Sequence, residues 1–194
     1  METSEPSSKT SLRRYYRRIR RHSCAVVAAQ LQDVALQQVP SLLPPHSKLG
    51  LYWPLKHEPD LLGLTRVLPQ QIALPSVWPS QGLMYLPWSN GQLLNKDSCG
   101  VPAPMRGPAL KPEQLGLLLV PCLSCTRQGL RLGYGGGWYD RLRAQRSWRA
   151  VPALVVLPSA CLATCLPEDP WDVPFDGWLD EHGIHIKPRP YCKP

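Results

Sequence analysis

The ten residues from Arg131 to Asp140, RLGYGGGWYD, constrain this chain more tightly than any other stretch. Gly133, Gly135, Gly136 and Gly137 fall within five residues of one another. Glycine tolerates positive φ and lets another group approach the backbone closely. Consecutive N–H groups in such a loop form an anion nest, above all where a helix begins. Arg131 opens the stretch with a planar fork suited to phosphate, and Asp140 closes it with a carboxylate. The aromatics Tyr134, Trp138 and Tyr139 supply flat surfaces for a ring. Neither common nucleotide motif is present: no Gly-Lys-Ser/Thr occurs, and Trp138 stands where a G-x-G-x-x-G would place its third glycine.

The rest of the chain predicts an α/β domain around this loop. Leu12, Tyr16, Ile19, Val26 and Val34 recur at near-helical spacing, predicting a helix from about Lys9 to Gln38. Leu49 to Trp53 reads as a buried strand. A second helix is expected from Glu58, with Pro59 in its first turn and Leu61, Leu62, Leu64 and Val67 following. Gln71 to Pro75 reads as a strand, and Met84–Trp88 with Gln92–Leu94 as a hairpin across Ser89-Asn90-Gly91. A proline-rich loop, Val101 to Pro112, leads to the apolar run Leu117 to Val120, expected to be a central parallel strand. Trp138 to Gln145 is expected to be helical, Ala150 to Leu157 a buried strand, and Gly177 to Leu179 a short last one. Alternating strands and helices imply a single three-layer, Rossmann-like α/β domain with a mostly parallel sheet flanked by helices. Its expected extent is 9–186, with a flexible start at 1–8 and a tail at 187–194.

Charge is unevenly placed. The net charge is +8, and residues 1–22 hold seven Lys or Arg against two Glu, a local +5. Six of the fourteen acids fall between Glu168 and Glu181. No apolar run approaches the roughly 20 residues that span a bilayer. No apolar stretch follows the N-terminal arginines, so a secretory signal is not expected. Seven scattered cysteines, an odd number, argue against a disulfide framework and for a reducing, cytoplasmic setting. Cys122-x-x-Cys125 and Cys161-x₃-Cys165 lack a neighbouring His and read as buried thiols rather than a zinc site. His57 is read as a solvent-facing loop histidine.

The glycine stretch resembles the signature of the 5-formyltetrahydrofolate cyclo-ligases, also called 5,10-methenyltetrahydrofolate synthetases. The likeness runs from about Lys9 to Ile184. It takes in Lys9 with Arg13, the strand Leu51-Tyr52-Trp53 leading to Glu58, Gly100-Val101-Pro102-Ala103-Pro104, the strand Leu117 to Pro121, and Leu166-Pro167 through Asp172. Three positions depart from the pattern. Trp138 replaces a Tyr or Phe, Gly136 stands where some members have Lys, and Cys125-Thr126 replaces Phe-Asp.

The resemblance implies an ATP-dependent ligase. It would convert 5-formyltetrahydrofolate to 5,10-methenyltetrahydrofolate through a phosphorylated formyl intermediate, with release of ADP and phosphate. It implies ATP contacts from Lys9, Arg13 and the run Arg131, Leu132, Gly133, Tyr134, Gly135, Gly136, Gly137, Trp138 and Tyr139. Folate contacts are implied for Trp53, Glu58, Tyr134, Gly135, Gly136, Gly137 and Trp138, and Mg²⁺ contacts for Asp140 and Asp172. A monomer is expected, with no nucleic-acid or membrane partner. The arginines at 13, 14, 17, 18, 20 and 21 are then a solvated face with a few members aimed at ATP. Two rival readings remain at this point: a nucleic-acid-binding module built on that arginine-rich helix, and the same fold serving another phosphorylated small molecule.

Overall fold

The computed structural model describes residues 8–187. The first helix, α1, spans Lys9–Leu42 and is capped by Ser8, whose hydroxyl accepts from the Ser11 N–H at 3.2 Å. Its buried residues are Leu12, Tyr16, Arg20, Cys24, Leu31, Ala35 and Val39, one face at helical spacing. The helix outruns the expected end at Gln38. Pro40 sits in its last turn, and the chain leaves the helix two residues later, at Leu42. Val26, expected on the apolar face, is 70% exposed. The face instead passes through Arg20 and Cys24.

The main sheet has seven strands: β1 (Lys48–Gly50), β2 (Ile72–Trp78), β3 (Gly82–Pro87), β4 (Leu115–Pro121), β5 (Ala153–Val156), β6 (Gly177–Asp180) and β7 (Gly183–Ile186). Their spatial order is β7-β6-β5-β4-β1-β2-β3. The inner five strands run parallel, while β3 and β7 pair antiparallel at the two edges. Leu118 and Val120 face one core with Ala73, Ala153 and Val155. Leu117 and Leu119 face the other with Ile72, Leu74, Leu154 and Val156. This strict alternation is what a strand covered on both faces requires. α1 serves both cores, with Leu12 and Tyr16 in the first and Leu31, Ala35 and Val39 in the second.

Several boundaries differ from expectation for local physical reasons. β1 stops at Gly50; the Leu51 N–H still donates to the Ala73 carbonyl at 2.8 Å, and Tyr52 and Trp53 leave the sheet. The helix expected from Glu58 is a single turn, α2 (Leu64–Val67). His57 is at φ 66°, and the proline at 59 disfavours a helical Glu58. The Glu58 carboxylate also binds back to the Leu55 N–H at 2.7 Å, while Asp60 accepts from Leu62. The hairpin lies elsewhere too. β3 turns back on β2 through residues 79–81, with Trp78 paired to Gly82, and Gln92–Leu94 is in no strand. Helix α3 is Trp138–Ala144, and a further short helix, α4 (Arg146–Ala150), takes Ala150 out of the following strand. A small side sheet joins Ser124–Thr126 to Arg131–Leu132 and Leu162–Ala163. The edge strand β7 had not been anticipated. The expected flexible start and tail, apart from Ser8 and Lys187, lie outside the described residues. No helix among the described residues is long and apolar enough to cross a membrane.

Candidate active site

From β1 the chain moves to β2 on one side. From β4 it moves to β5 and β6 on the other. The β1/β4 boundary is therefore a topological switch point, where the connections diverge and leave a crevice at the carboxyl ends of the strands. A cavity of about 440 Å³ occupies that crevice. Tyr52 and Trp53 enter it just after β1, and Pro121 at the end of β4. The glycine stretch covers it between the side sheet and α3.

Every residue picked out from the sequence lines this one cavity: Lys9, Arg13, Trp53, Glu58, the unbroken run from Arg131 through Asp140, and Asp172. Gly135 and Gly137 carry φ values of 106° and 64°, which a side chain rarely tolerates. Gly137 precedes the first residue of α3, so the loop delivers the cavity to a helix start. Arg13 donates from Nε to the Gly133 carbonyl at 3.1 Å. Arg141, which sequence reasoning passed over, donates to the Gly136 carbonyl at 2.9 Å and lies 4.4 Å over the Trp138 ring.

Arg131 is turned inward. Its Nη2 is 3.0 Å from Asp140 Oδ1, and its guanidinium packs against the rings of Tyr139 and Phe175. Its Nε is buried with no hydrogen-bond partner. Lys9 Nζ sits 2.6 Å from both Asp169 Oδ2 and Asp172 Oδ2. Burial works against the Lys9 ammonium, but the hydrogen bonds to Asp169 and then Asp172 outweigh it, and its pKa is raised. Asp169 and the exposed Trp171 also line the cavity. The acidic run at 168–181 marked that segment without singling out either residue.

Glu58 is almost wholly enclosed, its side chain 1% exposed. Tyr134 donates its hydroxyl to one carboxylate oxygen and the Leu55 N–H binds the other. Burial pushes the Glu58 carboxyl up, with Tyr134, Leu55 and Arg20 pulling against it. Tyr134 itself is pushed far above the ordinary tyrosine range, chiefly by burial. Trp53 stands edge-on to Trp88, with ring centroids 6.2 Å apart. Arg20, expected only as one of a solvated run, is 5% exposed, whereas Arg14, Arg17, Arg18 and Arg21 do face solvent.

Cys122, Cys125 and Cys161 are buried and Cys165 is exposed. No group of three or more metal-ligating side chains occurs among the described residues. His57 is partly exposed, and burial, then Lys56 and Arg21, push its pKa down.

The switch-point cavity, with its glycine cover and converging charges, defines an α/β enzyme with its site at the carboxyl ends of a parallel sheet. A family described as the 5-formyltetrahydrofolate cyclo-ligase family matches residues 5–180. The chain belongs to that family, and it is a ligase of folate one-carbon metabolism. The 5,10-methenyltetrahydrofolate synthetase of Aquifex aeolicus, solved by NMR, superposes with a TM-score of 0.73 at 24% identity, covering 94% of this chain and 95% of that one. The synthetase of Mycoplasma pneumoniae superposes with a TM-score of 0.67 at 21% identity, covering 90% and 99%. No curated protein matches the sequence.

Proposed function

We propose that this enzyme uses ATP to convert 5-formyltetrahydrofolate to 5,10-methenyltetrahydrofolate, with release of ADP and phosphate. The observation that carries the reading is that one cavity is lined by the glycine stretch Gly133–Gly137, the buried Glu58 carboxylate and the Trp53 ring. Two substrates can therefore meet in it. The formyl oxygen attacks the γ-phosphorus of ATP, and the bond to ADP breaks. N10 then attacks the activated formyl carbon, the carbon–oxygen bond to phosphate breaks, and N10 loses its proton. A formamide oxygen is a poor leaving group and phosphate a good one, so the protein's work is alignment and charge neutralisation.

In this reading the N–H groups of Gly133 to Gly137 cradle the phosphates, with Lys9 and Arg13 reaching in from α1. Arg131 acts less as a free phosphate clamp than as the brace that holds Asp140 under the loop. Trp53 offers a face to the folate, and Glu58 accepts from its ring N–H groups. Leu132 and Tyr139 form wall, and the side chains of Tyr134 and Trp138 keep water from the labile phosphorylated intermediate.

The donor set fits Mg²⁺. Asp140 and Asp172 line the same cavity, and each has one oxygen, Oδ2 and Oδ1 respectively, without a hydrogen bond among the described residues. One or two carboxylates completed by water and phosphate are what this ion takes. Bound there, it would supply neutralisation of phosphate charge. The seven cysteines, odd in number and scattered along the sequence, support a reducing, cytoplasmic setting. We further read the protein as a monomer.

The test is direct. Purified protein is mixed with 5-formyltetrahydrofolate and Mg-ATP, and methenyl absorbance is followed. A rise that requires ATP supports the reading, and no rise from folded protein overturns it.

A further inference from the structure

Arg20 lies deeper in the molecule than any other arginine of α1 and has no part in the reaction described above. Its Nη1 donates to the Cys122 carbonyl at 3.2 Å and to the Tyr134 hydroxyl, and stands 3.6 Å from Glu58 Oε1. Its guanidinium lies 5.1 Å from the centroid of the Tyr134 ring. The Nε atom is buried with no partner. A half-satisfied buried guanidinium is a costly way to fill a core, and apolar residues in place of the whole Arg20–Glu58 pair would serve packing as well or better. What the arginine adds is a fixed positive charge beside one carboxylate.

We propose that Arg20 is a positioning residue for the folate end of the cavity, holding Glu58 as an ionised acceptor with the Tyr134 hydroxyl fixed beside it. The proposal rests on the folate reading of Glu58 given above. Glu58 Oε1 already receives the Tyr134 O–H in the ligand-free protein. Binding of an amino-pyrimidinone ring then exchanges one donor for another, and the carboxylate must remain charged through the exchange. Arg20 and Tyr134 contact it, and the titratable groups close enough to feel its charge are Cys24 from α1, Tyr52 after β1 and Tyr139 from the glycine stretch, with His57 next in the chain. Burial holds the thiol and the three phenols neutral, with Cys24 and Tyr139 each pushed up to about 12. Among the described residues Arg20 is the one cation within ion-pair reach of Glu58.

The experiment compares wild type with Arg20→Met, Arg20→Lys, Glu58→Gln and the Arg20→Met/Glu58→Gln double variant. In Arg20→Met, KM for 5-formyltetrahydrofolate is expected to rise about tenfold, the scale of one lost charged contact, with KM for ATP little changed. The acid limb of kcat/KM for the folate moves to higher pH by about one unit. Arg20→Lys keeps the charge without the fork and lies between the two. Glu58→Gln abolishes the limb, and adding Arg20→Met to it has no further effect on folate KM. Equal losses in both KM values, or an unmoved acid limb, would overturn the proposal and leave Arg20 a packing residue.

If Arg20→Met does not fold, a carbon-13 titration of Glu58 in ligand-free wild type and in the neutral, polar Arg20→Gln decides the matter. An unchanged midpoint overturns the proposal. Should wild type fail to turn over 5-formyltetrahydrofolate, the proposed function falls. The same ligand-free titration then still reports whether Arg20 sets the charge of Glu58.

Discussion

Two polar clusters bracket the cavity, and both pair α1 with distant parts of the chain. In the outer one, Lys9 bridges Asp169 and Asp172, with side chains 22%, 39% and 11% exposed. In the inner one, Arg20, Glu58 and Tyr134 meet where the first two are 6% and 1% exposed. The outer charges are close, opposite and partly hydrated, so each is inexpensive to hold and adds little to folding. The inner charges have left water, so losing one partner strands the other. The outer cluster is therefore free to rearrange around a ligand, while the inner one is part of the framework.

Removing an inner charge should do the most damage. Arg20→Ala is expected to cost about 3–5 kcal/mol in urea unfolding, the scale of a broken buried pair. A loss like that of a surface arginine would erase the distinction between the clusters. The Arg131–Asp140 pair mixes the two characters, with the Arg131 side chain 5% exposed against an Asp140 that is 25% exposed. Arg131→Ala should cost roughly 2–3 kcal/mol by the same measurement and weaken ATP binding as the loop loses its brace.

Glu58→Gln tests the inner cluster from the other side. The folded protein raises the Glu58 pKa above its ordinary value of 4.5, so it holds that proton more tightly than the unfolded chain does. Wild-type stability is therefore reduced as pH climbs from that value through the folded one. The Tm difference, variant minus wild type, should grow in the variant's favour over that window and level off above it. A difference flat from acid to neutral pH would mean that Glu58 is not strained by burial. Smallest in stability is Lys9→Met, expected to change unfolding by less than about 1 kcal/mol. Its effect should appear in KM for ATP, and a variant that unfolds readily while binding ATP normally would reverse the comparison.

The contrast also separates what could be read from the sequence. The glycine stretch announces itself because its chemistry sits within ten residues, and the strand Leu115–Pro121 because a doubly covered strand is apolar throughout. Lys9, Arg13, Glu58 and Asp172 were reached through the family pattern rather than from local spacing. Arg20 could not be, because its neighbours in the chain are exposed arginines and it is buried only by residues near 58, 122 and 134. The second helix was over-extended because Leu61, Leu62, Leu64 and Val67 carry helical spacing, yet the turn at His57 and Pro59 holds Glu58 toward the cavity. The hairpin was misplaced because Asn90-Gly91 is the stronger local turn signal. The pairing is set instead by the register that buries Ala73, Val77 and Tyr85.

The placement of α1 has a consequence in time. Lys9 meets its two carboxylates 160 and 163 residues further along the chain. At ribosomal speeds of about 5–20 residues per second, the helix waits roughly 8–30 s after its own synthesis before those partners exist. Through that interval the apolar face of the helix and its inward arginine meet partners at 49–134, while Lys9 waits. A stretch made late, Asp169 to Asp172, completes the pocket at the start of α1.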